Sequence, residues 1–142
     1  MRAIFSQRLK RVAQHQIDPQ RLPYAPEKLP RKPPVGVEGF LALDLRVGRV
    51  VEVEAFPEAR QPAWKVAVDF GPVVGTLHTS AQITNYDVDD LQDRLVVAAI
   101  NLGHKKIAGF TSEFLILGAL DGDGTVRLVR VEDGVEPGAP VA

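Results

Sequence analysis

Hydrophobic and polar residues alternate with a period of two over most of the chain after residue 43. A half-buried β-strand gives this alternation because successive side chains point to opposite faces of the sheet. The clearest case is residues 64–70, where Lys65, Ala67 and Asp69 separate four large apolar residues: Trp64, Val66, Val68 and Phe70. The pattern predicts five or six short strands, within residues 45–54, 64–70, 74–80, 95–100, 114–120 and 125–131. The strands at 95–100 and 114–120 are the most apolar, so we expect them to be the most buried.

The first of these strands is long and its alternation is only approximate. Its apolar face is predicted to carry Leu45, Val47, Val51 and Val53. Gly48 lies within it, and a glycine inside a strand often marks a bend or a close approach of another part of the chain. We therefore expect the strand to bend at Gly48.

Two connecting segments help to define the topology. Residues 81–93 are rich in Asp, Asn and Gln, which predicts short helical turns between two strands. Residues 121–124 read Asp-Gly-Asp-Gly, a typical hairpin turn, and they lack the further ligands of a calcium loop. Short strands with one helical insertion after the third predict an all-β fold, a five-stranded Greek-key barrel of the OB type. Such barrels commonly bind oligonucleotides or oligosaccharides, although a fold alone does not establish a function.

The first 38 residues follow a different pattern. Apolar residues in 4–17 recur at helical spacing opposite a basic face, so the pattern predicts an amphipathic helix that ends at Asp18-Pro19. Residues 19–35 contain a proline every three to five positions and are expected to form an extended connector. The helix could contact phosphate or a membrane surface, or its apolar stripe could pack on the body or on a partner subunit.

Charge divides the chain at the same place. The formal net charge is -1, but eight of the 17 basic and three of the 18 acidic residues lie up to Glu38, so this segment carries +5 and the remainder -6. We therefore predict a basic N-terminal arm at 1–38 and an acidic globular domain at 39–142.

Several classes of chemistry are not supported by the sequence. There are no cysteines, and the three histidines lack the spacing of metal ligands. Neither a Walker phosphate loop nor a dinucleotide-binding glycine motif occurs, and no serine lies in a nucleophile elbow. We expect a protein that is not an enzyme and uses no metal or cofactor. No apolar run is long enough to span a bilayer and no signal peptide is evident, so we expect it in the cytoplasm, without membrane insertion.

Four stretches carry a resemblance to a known family: residues 43–50, 56–71, 79–84 and 101–113. They include Leu-Asp-Leu-Arg-Val-Gly-Arg-Val at 43–50 and Thr-Ser-Ala-Gln-Ile-Thr at 79–84. Together they resemble the tRNA-binding domain that is appended to some methionyl- and phenylalanyl-tRNA synthetases and also occurs as free-standing dimers. Phe114-Leu115 makes the chain most similar to the CsaA-type, export-related chaperone branch. The resemblance covers residues 40–142 and does not include the arm.

The resemblance implies an OB-fold homodimer whose partner is tRNA or another structured RNA. Matched residue by residue, the family pattern implies RNA-binding positions at Arg46, Lys65, Ser80, Gln82, Asn101, Lys105, Lys106 and Ser112. Basic side chains neutralise phosphates, while hydroxyls and amides reach ribose hydroxyls and base edges. The four neutral residues could instead satisfy nearby backbone groups in turns and caps. Glu113 would repel phosphate and is expected to pair with a neighbouring basic residue.

Two other functions remain open at this point. In the CsaA-type branch, the resemblance implies binding of unfolded or preprotein segments and a link to the export machinery, for which the candidate peptide-binding residues are Trp64, Phe110 and Phe114. These aromatic residues could equally belong to the core. The domain could also be an interaction module that docks on a synthetase.

Overall fold

The structure is a computed structural model that describes residues 24–142. The predicted helix at 4–17 lies outside this range. Nine strands follow one another within these described residues: β1 (Leu45–Ala55), β2 (Trp64–Asp69), β3 (Thr76–Ala81), β4 (Leu95–Ala99), β5 (Lys105–Ile107), β6 (Phe110–Ser112), β7 (Leu115–Ile116), β8 (Gly118–Leu120) and β9 (Val126–Leu128). The same part of the chain contains a 3-10 helix at Pro26–Lys28 and three short α-helices: α1 (Gly36–Leu41), α2 (Gly71–Val74) and α3 (Val88–Leu91).

Five strands form one antiparallel sheet in the order β3-β2-β1-β4-β7. The two ends of this sheet approach each other, because the Glu113 N–H donates to the His78 carbonyl at 2.8 Å and the Thr79 hydroxyl donates to the Phe114 carbonyl at 2.7 Å. The result is a nearly closed five-stranded barrel, with α3 inserted between β3 and β4. This arrangement confirms the predicted OB-type barrel.

Strand β1 is shared by both halves of the barrel. Its first half pairs with β4 and its second half with β2, and a β-bulge shifts the register between Val50 and Glu52. The bulge changes which residues face the core, so Val50 is fully buried while Val51 is 42% exposed. The prediction that Val51 continues the face of Val47 was therefore wrong.

Gly48 has a packing role two residues before this bulge. A β-carbon at this position would overlap the side chains of Val68 and Phe70, both of which are buried. The glycine thus allows β1 to lie close against the core. The irregularity that we expected at Gly48 lies instead at Val50–Glu52.

The core lies inside the barrel. The predicted inward face of β2 is confirmed, since Val66, Val68 and Phe70 are almost fully buried. The Phe70 ring meets the Phe114 ring edge to face at a centroid distance of 5.1 Å. Leu91 closes one end of the core from α3, a helix that begins with a capping box between Asp87 and Asp90. The expected helical turns in residues 81–93 are thereby confirmed.

Other parts of the strand prediction need correction. Residues 114–120 were expected to form one well-buried strand, but the chain changes partner at Leu117, so β7 pairs with β4 and β8 pairs with β9. Leu120 is 39% exposed. No strand was predicted within residues 101–113, where the structure has the β5–β6 hairpin. The hairpin turn predicted at residues 121–124 is confirmed, since β8 and β9 pair on either side of it. Within this turn, hydrogen bonds from Thr125 lower the pKa of the Asp123 carboxyl.

Both ends of the described chain lie against the barrel. The Tyr24 N–H donates to the Gly122 carbonyl at 3.1 Å, and residues 29–35 have no regular secondary structure. The predicted boundary at 38/39 falls within α1, and the division into arm and domain stays a prediction. Residues 138–141 run along β1, with hydrogen bonds to Leu45 and Val47.

Within residues 24–142, no helix is long and apolar enough to cross a membrane.

Candidate nucleic-acid interface

A groove of about 390 Å³ opens at one end of the barrel. It lies between the β1–β2 loop, the end of β3 and the β5–β6 hairpin. Its lining consists of Ala59, Arg60, Gln61, Ala63, Ser80, Gln82, Lys105, Lys106, Ile107 and Ala108. In OB folds, the loops after the first and fourth barrel strands flank the face used for oligonucleotides. The hairpin lies in the second of these connections, so the groove occupies that general position.

The side chains that line this groove give it a positive charge. Arg60 projects from the β1–β2 loop, while Lys105 and Lys106 belong to β5. Among the described residues, no acidic side chain lines the groove. Three cations therefore converge on one opening in a domain whose net charge is negative, and such a concave cluster favours an anionic ligand.

Most polar side chains of the groove are available to a ligand. Within residues 24–142, no side-chain hydrogen bond or ion pair holds Arg60, Gln61, Ser80, Gln82 or Lys106. Ser80 is nevertheless only 6% exposed, and Gln82 is half-buried. Polar groups at such depth normally find partners inside the protein. The free hydrogen-bonding groups of these two side chains are what a binding site for a polar ligand requires.

Lys65 lies beside the groove and contacts aromatic rings from both the β1–β2 connection and the β5–β6 hairpin. Its ammonium lies 4.9 Å from the ring centroid of Phe56 and 5.3 Å from that of Phe110. The two rings also meet edge to face at 5.5 Å. Phe56 belongs to the β1–β2 connection and Phe110 to β6, so this cluster fixes the position of the hairpin relative to the loop.

Four predicted RNA-binding residues do not line the groove: Arg46, Lys65, Asn101 and Ser112. Arg46 and Asn101 are engaged elsewhere in the fold. Arg46 forms an ion pair with Asp44 at 2.6 Å and also donates to the Gly138 carbonyl. Both ends of the Asn101 amide bind backbone, since its oxygen accepts from the Asp44 N–H and its nitrogen donates to the Ala42 carbonyl. Asn101 thereby joins the end of β4 to the segment that precedes β1.

Ser112 is fully buried at the closure of the barrel. Its hydroxyl lies 2.9 Å from the Thr79 hydroxyl and accepts the Ser80 N–H at 3.3 Å. The neighbouring Glu113 accepts the His78 N–H at 2.8 Å, and its carboxylate lies 3.5 Å from the His78 ring nitrogen Nδ1. The expectation that Glu113 pairs with a neighbouring basic residue is consistent with this contact. These contacts join β3 to the β6–β7 segment.

Ser112→Ala is expected to lower the free energy of unfolding by about 1–3 kcal/mol, because it leaves the buried Ser80 N–H without its acceptor. The measurement is urea denaturation. The matched control is Thr111→Ala, at the half-buried neighbouring position, for which we expect a smaller change. An unchanged midpoint for Ser112→Ala would contradict the assigned role.

The three candidate peptide-binding aromatic residues occupy different environments. Phe114 is fully buried in the core, so its side chain is not at the surface. Trp64 is half-buried and donates its indole N–H to the Tyr86 carbonyl at 3.0 Å. Phe110 is half-buried in the aromatic cluster next to the groove. The structure does not bring the three together on one exposed face.

Two polar residues of the groove were missing from the sequence prediction. Arg60 and Gln61 lie in the connection between the first two barrel strands, within a stretch that carries the family resemblance. Their polar character between two strands, in a loop that OB folds use for binding, was the available signal.

Within residues 24–142, no cluster of three or more potential metal ligands is present.

Comparison with known proteins decides the family. Residues 45–140 match the family described as "Putative tRNA binding domain". The chain belongs to this family. A methionine–tRNA ligase from Protochlamydia amoebophila (strain UWE25) is 33% identical to this tRNA-binding domain over 116 residues, which are 82% of this chain and 16% of the ligase. The chain therefore spans only a small part of the length of such a ligase.

Solved structures extend the likeness to free-standing domains. The CsaA chaperone protein from Picrophilus torridus aligns with a TM-score of 0.72 and 44% identity, over 77% of this chain and 100% of that one. Chaperone CsaA from Bacillus anthracis str. Ames aligns with a TM-score of 0.72 and 40% identity, over 78% of this chain and 100% of that one. Both the predicted fold and the predicted family are thereby confirmed.

Proposed function

We propose that the protein is a non-catalytic RNA-binding protein that holds tRNA, or another structured RNA, in the groove between the β1–β2 loop and the β5–β6 hairpin. The observation that carries this proposal is the set of five polar or basic groove side chains without a side-chain partner within the described residues: Arg60, Gln61, Ser80, Gln82 and Lys106. Membership of the tRNA-binding domain family supports RNA as the ligand. A tRNA partner would place the protein in the cytoplasm.

Charge distribution is consistent with a localised contact. The segment from Gly39 onward carries a formal charge of -6, so it offers no general attraction to phosphate. Arg60, Lys105 and Lys106 concentrate positive charge at one opening. RNA would therefore be held at a defined place on the barrel and repelled elsewhere. The basic segment 1–38 adds positive charge to the chain as a whole.

Binding of bulk tRNA by the full chain, followed by fluorescence anisotropy, tests the proposal. Three phosphate contacts would give a dependence of log K on log salt of roughly -2 to -3, so affinity should fall roughly 15- to 60-fold between about 50 and 200 mM salt. Absence of binding at low salt, or binding that salt does not weaken, would contradict an electrostatic RNA contact.

A chaperone function is the second candidate, and the likeness to two CsaA chaperone structures over their whole length favours it. In this case the protein would bind unfolded or preprotein segments and suppress the aggregation of a heat-denatured client. Neutralising Lys105 and Lys106 separates the two functions, since we expect such suppression to survive the loss of groove charge. Failure to suppress aggregation and failure to bind client peptides would together exclude the chaperone function.

We further propose a homodimer, as the resemblance to free-standing members implies. Light scattering should then give a mass of twice the 15.5 kDa of one chain. A mass equal to that of one chain at micromolar concentration would contradict the dimer, without bearing on the groove.

A further inference from the structure

We propose that the groove accommodates a single unpaired nucleotide of the RNA, with its base inside the groove and its phosphate at the basic rim. This inference rests on the proposed RNA-binding function and specifies the part of an RNA that the groove recognises. Three features of the groove support it: its size, the presence of both apolar and charged side chains in its lining, and two glutamine amides that form no hydrogen bond within the described residues.

The size of the groove fits a small ligand. Its volume of about 390 Å³ lies near the lower end of the roughly 300–1,000 Å³ of small-molecule sites. An RNA duplex presents its backbone and a wide, shallow minor groove to proteins, which calls for an extended contact surface. A confined opening between a loop and a hairpin suits a single nucleotide that projects out of an RNA helix.

The groove lining contains both apolar and charged side chains. Ala63 is buried, whereas Lys106 and Arg60 are exposed. Ala63, Ile107 and Ala108 contribute small or aliphatic surface on which a base could lie. The flat face of a base needs such surface, and its phosphate needs the cations at the rim. An anion without an apolar part would make no use of the apolar lining.

Two glutamines supply groups that can read the edge of a base. Each amide offers two donor hydrogens and an acceptor oxygen, as the edges of unpaired bases require. Gln82 follows the end of β3, where the sheet fixes its backbone, and it is half-buried. Gln61 is exposed in the β1–β2 loop. We therefore assign the main contact with the base to Gln82 and place the Ser80 hydroxyl next to it.

Competition experiments with the full chain test this inference. A labelled tRNA is displaced either with a single-stranded RNA of mixed sequence or with a blunt-ended RNA duplex of the same length. We expect the single strand to compete much more strongly at equal nucleotide concentration. Equal competition by the duplex would overturn the inference, while leaving the proposed RNA binding intact. If the tRNA does not bind at all, the proposed function itself fails.

A pair of variants gives a second, independent test. Gln82→Ala should weaken binding of the single strand roughly tenfold, because hydrogen bonds to the base are lost, and should leave the salt dependence unchanged. Thr84→Ala is the matched control, since Thr84 is exposed, lies two residues further on and does not line the groove. Wild-type affinity for single-stranded RNA in Gln82→Ala would overturn the assignment, and circular dichroism verifies that each variant is folded.

Discussion

Replacing both Lys105 and Lys106 with alanine is expected to lower the affinity for tRNA by roughly 25- to 60-fold at about 0.1 M salt. The reason is counterion release, in which each lysine that neutralises a phosphate contributes a slope of roughly 0.7 to 0.9 to the dependence of log K on log salt. Both side chains line the groove from β5. The double variant should therefore also show a slope that is shallower by roughly 1.4 to 1.8.

A second double variant removes the same amount of charge away from the groove. Arg127 and Arg130 are exposed near β9, and neither lines the groove. The ion pair of Arg127 with Asp121 is exposed, so its loss should have little effect on stability. Arg127→Ala with Arg130→Ala should bind tRNA within a few-fold of the wild type. An equal loss of tRNA affinity in both double variants would show that affinity depends only on the net charge of the protein and not on the groove.

Phe114→Ala is expected to cost about 3–5 kcal/mol of unfolding free energy. The ring is fully buried, and it packs edge to face against Phe70 in the centre of the barrel. Its removal leaves a cavity that the surrounding strands cannot fill. A loss of this size is a large fraction of the roughly 5–15 kcal/mol that stabilises a typical domain, so we expect a substantial part of this variant to be unfolded. Phe114→Leu keeps most of the volume and should remain folded with a smaller loss.

Urea denaturation of these variants distinguishes a core residue from one that binds peptides. Phe110→Ala serves as the comparison, because Phe110 is half-buried beside the groove and should cost less stability. A wild-type midpoint for Phe114→Leu together with impaired binding of client peptides would contradict the core role of Phe114. A lowered midpoint with unchanged peptide binding by the folded protein agrees with it.

Local sequence patterns predicted the barrel well where strands are regular. The strict alternation in residues 64–70 identified β2 and its buried face, and the turn residues at 121–124 identified the β8–β9 hairpin. The position of the bulge in β1 was missed, because the irregular alternation of this strand was assigned to Gly48, whereas the shift lies beside the adjacent Val50 and Val51. The β5–β6 hairpin was missed because each strand has three residues and neither shows a clear alternation.

The candidate site was only partly predictable for a different reason. Lys105, Lys106, Ser80 and Gln82 were expected to bind RNA, and they line one groove. The roles of Arg46 and Asn101 depend on partners far away in sequence, since Arg46 reaches Gly138 and Asn101 reaches Ala42. A sequence pattern shows that such residues are polar, but it does not show which groups they contact. Whether a polar side chain is free to bind is decided by tertiary structure.

The most direct measurement of the central claim is a titration of the isotope-labelled protein with tRNA, followed by amide NMR spectra. We expect the largest chemical-shift changes in the groove, at residues 59–63, 80–82 and 105–108. Amides around Asn101 and in the β8–β9 hairpin should change little. Large changes confined to these outer regions, with the groove signals unaffected, would contradict the proposal that RNA binds in the groove.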